Sequence, residues 1–381
     1  MFQATTRPPA IFLTLFLTLV SLTAPRPAFA QVNSSYGPLP VFEFHSGFWI
    51  NLHHTLYQEA KLRAGASNGA SAPVKKSGPA LKKSADPALA LTAREQRDWD
   101  DAVNYYAANY AGKDLLFTTE LSLLKNQLED FDDCDDISGK KIASCNAGLA
   151  PRLTRTLEAA AAVYRAHQWP DHDRTNRRWI LRAAPLVREQ GVGLSERLAD
   201  LYQTRWPREK IRVDVSPYAY SAGSYTTLEP LRVSISSTDA RNQGAAALEV
   251  LFHEASHGIA EPVQQSIIRE CRQREKAIPR DLWHALIFYT TRQVIRPLMP
   301  AGDAAANVVS SVPADSAIPA NSAIPESGAL PARAGAARPV PEDLYRRGWD
   351  DYYKLLAKFW QPYLDGRSTY DDAIARMVSA L

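Results

Sequence analysis

The chain has no marked excess of either charge: 44 Lys and Arg stand against 41 Asp and Glu over 381 residues, a formal net charge of +3. A near-neutral balance argues against nucleic acid or an anionic membrane as a partner. Long apolar runs are missing too, save one near the start, Ile11 to Val20, interrupted only by Thr14 and Thr18. With Arg7 before it and Ala28-Phe29-Ala30 after it, that run is too short to span a bilayer comfortably and reads as a secretory signal peptide over residues 1–30. The mature chain is expected to begin near Gln31, exported to a periplasm or secreted, without stable membrane insertion. Cysteine is scarce, with three residues. None lies near the expected cleavage site, which argues against a lipoprotein anchor. In an oxidising compartment Cys134 and Cys145 are expected to close the loop between them, and Cys271 to be a buried thiol on a helix.

What is present is enough apolar residue, 45%, to bury a sizeable core. An aromatic stretch from Val41 gives a helix from about Ser46 that turns Phe48, Leu52, Leu56 and Tyr57 inward. Its His45, His53 and His54 suit packing and hydrogen bonding, with a place in an active-site wall as the alternative. Residues from about 63 to 91, rich in Ala, Gly, Ser, Pro and Lys, bury too little to repay the entropy of ordering and read as a disordered insertion. A helical stripe resumes from Thr92 to Asp130. The acidic run Asp132, Asp133, Asp135 and Asp136 lacks the spacing of a calcium loop and reads as a solvated turn. Helices are expected over Pro151–His167, Arg174–Glu189 with a kink at Pro185, and Ser195–Tyr202. His172, between two aspartates, sits in what reads as a helix cap.

Ile211 to Val215 and Leu231 to Ser236 alternate as strands do, and the Tyr- and Gly-containing connection between them suggests a small antiparallel sheet. An amphipathic helix follows over Val263–Lys276, and a strongly apolar one over Asp281–Val294. Residues 300–341 form a second patternless insertion. Two stretches, Glu342–Trp360 and one from Ser368, close the chain as helices. The fold class is mainly α with a small antiparallel β-sheet, a single mostly helical domain over residues 31–381.

Immediately after the strands comes Ala245 to Ile259, AAALEVLFHEASHGI. Leu248, Leu251, Phe252 and Ala255 recur at helical spacing, which puts His253 and His257 one turn apart on one face. Two imidazoles so placed can reach one tetrahedral cation, and Glu254 can point a carboxylate at water in that cation's open position. This is the HExxH pattern, and the stretch resembles the zinc metallopeptidases of the zincin superfamily. The resemblance covers about fifteen residues and the strand before them. It implies Zn²⁺, a peptide or other amide-containing substrate, Glu254 as general base, and an α+β fold whose edge strand pairs with extended substrates.

Catalytic zinc needs a third protein ligand. The metzincin continuation is absent, with Ala260 and Val263 in place of its Gly and His. A gluzincin-like arrangement would use a downstream Glu, here Glu275 or the weaker Glu270. His284 is favoured over both, because a lone imidazole in an otherwise apolar helix needs a partner; Asp281 and Glu261 are further options. Tyr289, or Tyr220 or Tyr225, is a candidate donor to an oxyanion. The rival reading is an exported zinc-binding protein without catalytic activity.

Overall fold

Phe42 and Phe44 alternate with polar neighbours and turn to one side, forming strand β1 (Phe42–His45). The strand belongs to a computed structural model that describes residues 41–67, 91–298 and 348–381. The expected signal segment and the insertion at 300–341 lie outside the described residues, as do residues 68–90 of the first insertion. Residues 63–67 correct that first boundary: they continue helix α1 (Phe48–Ser67). Arg63 explains the extension, since its guanidinium donates to Asp100 and Asn104, both at 2.8 Å, on helix α2 (Ala93–Asn109). Thr92 and Glu95 begin α2 with a reciprocal capping box.

Helix α3 (Thr119–Glu129) precedes the acidic run, which is less solvated than its composition suggests. Asp132 takes bonds from His45 and Arg212, and Asp136 accepts the backbone N–H of Gly139 and Lys141. Cys134 and Cys145 are disulfide-bonded across this loop, and Cys271 is a buried free thiol. Helix α4 (Pro151–His167) matches its expected bounds. The next two expected helices are one, α5 (Trp169–Leu201), with Pro170 in its first turn, where a missing N–H costs nothing. Pro185 lies inside it, and the expected gap between Glu189 and Ser195 is helical too, because the stripe Trp179, Ala183, Val187, Leu194 and Leu198 is buried in one core on both sides of that gap.

Strands β2 (Ile211–Ser216), β3 (Ser224–Leu228) and β4 (Leu231–Ser236) join β1 in a sheet of order β1-β2-β4-β3. The sheet is mixed, which corrects the antiparallel expectation. β2 runs parallel to both β1 and β4, and only β3 is antiparallel to its neighbour. The connection between the two strands legible in sequence itself contains β3, which hairpins into β4 and so returns β4 parallel to β2.

Past the sheet, helix α6 (Ala246–Ser256) carries most of the HExxH stretch. Helix α7 (Glu261–Gln273) takes Pro262 in its first turn, and helix α8 (Leu282–Ile295) follows. Short helices α9 (Asp350–Leu355) and α10 (Gln361–Leu364) flank one π-helical turn at Leu356–Trp360. The last helix, α11 (Tyr370–Ser379), is capped by Thr369, one residue later than expected.

Two apolar cores result. One gathers α1 to α4 around Trp49, Leu52, Tyr106 and Tyr164. The other packs β1, β2 and β4 against α5 to α8 and the C-terminal helices through Val213, Val215, Val233, Leu251 and Phe252. The alternate residues of the strands meet α1 and α3 in a buried polar layer. There Lys125 and Glu129 pair at 3.0 Å, almost without exposure, and Arg212 grips Asp214.

Candidate metal centre

His253 and His257 lie one turn apart because α6 runs without Gly or Pro through the motif, and His257 keeps helical dihedrals at its C-cap. Their ring centroids are 5.0 Å apart. α8 packs on α6, and the half-buried pair Arg292 and Glu249, 3.5 Å apart, ties the two helices. This packing brings the His284 ring 5.2 Å from His253 and 4.8 Å from His257. One ring nitrogen from each of the three can be chosen so that all lie within 4.8 Å of one another. No other such group of His, Cys, Asp and Glu occurs among the described residues.

The Nε2 atoms of His284 and His253 stand 3.3 Å apart. Two nitrogens each about 2.05 Å from a tetrahedral ion are separated by roughly 3.3 Å. The donor set therefore fits a small divalent cation of imidazole preference. An apolar wall backs it: Phe288 packs 5.2 Å from His253, Trp283 5.7 Å from His257, and Trp349 4.9 Å from His284. His253 is 6% exposed, while His257 and His284 are half-buried, so solvent reaches the cluster from one side.

Glu254 is buried, and β3 holds its carboxylate. Ser224 Oγ donates to Oε1 and Thr226 Oγ1 to Oε2, each at 2.6 Å. The two hydroxyls share a strand face because they are two residues apart. Neither residue was visible as functional in the sequence, where hydroxyls on a strand carry no motif; alternation on the strand before the motif was the available signal.

The competing ligands lie elsewhere. Glu275 is exposed, with φ of 53°, just beyond α7. Glu270 pairs with Arg274, and Glu261 is exposed at the start of α7. The candidate oxyanion donors are each hydrogen-bonded to other parts of the fold. Tyr289 donates to Gln361 Oε1 at 2.7 Å and packs on Tyr353, Tyr220 donates to Asp114, and Tyr225 bonds His54. The remaining histidines are hydrogen-bonded within the fold: His45 to Asp132, His53 to Tyr106, His54 to Ser216 and Tyr225, His167 to Glu95, and His172 to Tyr164. Set against protein-family models, curated proteins and solved structures, the chain matches none.

Proposed function

We propose that this chain is an exported zinc-dependent hydrolase, a metallopeptidase of zincin-like mechanism, acting on peptides or other amides. The observation that carries this reading is the convergence of His253 and His257 from α6 with His284 from α8, beside Glu254 on the same helix. Imidazole is a preferred zinc ligand, and three protein ligands leave a fourth position open. Zinc bound there supplies Lewis acidity toward a carbonyl oxygen and makes water a better nucleophile at neutral pH.

The chain's own residues do the rest. The three imidazoles hold the ion, and Trp283, Phe288 and Trp349 lower the local dielectric on one side of it. Glu254 takes the proton of the attacking water and delivers it to the leaving amine. Tyr289 has no assigned step, because its hydroxyl already serves Gln361. Edge strand β3 is antiparallel to β4, but Ser224 to Thr227 are all buried. It supports the reading chiefly through its grip on Glu254. Residues 1–30 supply the export signal in this proposal.

Those same hydroxyls favour a second reading, an exported zinc-binding protein in which Glu254 is only structural. Zinc-loaded full chain offered a peptide mixture, with products read by mass spectrometry, separates the two. Glu254→Gln should keep one equivalent of zinc and lose turnover by about 100-fold or more. His284→Ala should lose the metal, while Glu275→Ala keeps it. Full activity in Glu254→Gln, or zinc lost only from Glu275→Ala, would overturn the mechanism or the ligand set respectively.

A further inference from the structure

Glu254 is a flexible side chain, and a general base works only from a fixed position. We propose that Ser224 and Thr226 are positioning residues that set the carboxylate plane of Glu254 for proton transfer. The proposal rests on the hydrolase reading above.

Each carboxylate oxygen takes one hydroxyl, Oε1 from Ser224 and Oε2 from Thr226, at 2.6 Å. Thr226 Oγ1 also lies 3.0 Å from the Glu254 carbonyl. A hydroxyl has one proton, and the shorter, charge-assisted bond to the carboxylate claims it. Two points on one carboxylate fix its plane as well as its place. The strand that provides them is itself anchored: Ser224 and Thr226 register against Ile235 and Val233 of β4. Asn242 Nδ2 donates to the Gly223 and Ser236 carbonyls at 2.8 and 2.9 Å, tying the start of β3 to the end of β4. All three side chains are buried, so water does not compete for the hydroxyls. An ionised carboxylate has about four acceptor sites, so two remain for the reacting water. The antiparallel strand thus orients the base, and α6 and α8 orient the ligands.

The test removes each hydroxyl at nearly constant shape, Ser224→Ala and Thr226→Val, and restores it in Thr226→Ser and Ser224→Thr. Kinetics are measured on a peptide that the zinc-loaded full chain cleaves. The removals should lower kcat about tenfold each with KM within about twofold, zinc content unchanged, and the restorations should recover most of it. A second readout needs no turnover: the visible d–d absorption of the Co²⁺-loaded protein, a probe of the open coordination position. Removal of the hydroxyls should shift it in the direction that Glu254→Gln does, and Thr226→Ser should leave it as in the wild type. Removal variants equal to the wild type in kcat and spectrum, beside an inactive Glu254→Gln, overturn the positioning role and leave the hydrolase reading standing. A fully active Glu254→Gln overturns the hydrolase reading and the positioning role with it.

Discussion

A single imidazole behaves in opposite ways in the two halves of this chain. His284, half-buried among aromatic side chains, finds two other imidazoles, whereas His53 and His54 are fully buried and bond to hydroxyls, His53 through Nδ1 alone and His54 through both ring nitrogens. Burial pushes His53 down to about 3, with Lys125 adding to the effect, and pushes His54 well below its ordinary value for the same first cause. Both are therefore held neutral when folded but bind protons below about pH 6.5 when unfolded. The unfolded state binds more protons in that range, so the stability they contribute is complete above pH 6.5 and is lost as pH falls toward 3. Urea unfolding of the metal-free protein should show about 2 kcal/mol less stability at pH 5 than at pH 7 for each of these two histidines. His53→Gln should flatten that dependence by about one proton; an unchanged slope would mean His53 is not held neutral. The sequence allowed packing or an active-site wall for this pair, and spacing could not decide, because adjacent histidines on a helix point to different neighbours. Spacing was enough to bring the rings of His253 and His257 together. For His284 the decisive signal was an imidazole in an otherwise apolar helix.

Elements were legible where a period dominates and obscure where tertiary contacts override local cues. α4, α8 and the two longer strands match their patterns closely. α5 was divided too readily between Glu189 and Ser195, since the local cost of Gly191 and Gly193, about 1 kcal/mol each, is small beside a stripe buried along the whole helix. Strand direction was not legible: alternation gives faces but no pairing partner, and β3 lay hidden in a segment of Ser, Tyr and Thr. Its start depends on Gly223, at φ 92°, where an added Cβ would meet Asp239 Oδ2 at 2.8 Å and Arg241 at 3.1 Å. Gly223→Ala should cost about 1–3 kcal/mol of stability, read by urea melts. Because Ser224 is the next residue, the same change should also displace the hydroxyl that holds Glu254. Stability within about 0.5 kcal/mol of the wild type would show that the turn tolerates a side chain there.

Across the whole molecule, the two apolar cores meet through a sheet whose second face is polar yet buried, closed by Lys125, Glu129, Arg212, Asp214 and Arg232. Composition alone could not show this layer, because each of its charges is ordinary until placed opposite its partner. The three-imidazole cluster lies wholly within one of the two halves: α6 and α8, 31 residues apart at His253 and His284, both pack in the core with α5 and the sheet. A cation there crosslinks two elements that the unfolded chain keeps apart, since only His253 and His257 stay close in sequence. Binding therefore favours the folded state, and Zn²⁺ at a hundredfold excess over its Kd should add about 2.7 kcal/mol to the free energy of unfolding. His284→Ala should remove that increment while Glu275→Ala retains it, and the measurement needs no substrate. If Zn²⁺ left the urea midpoint of the wild type unchanged, the three imidazoles would be a packing arrangement and the folded state would gain nothing from the ion.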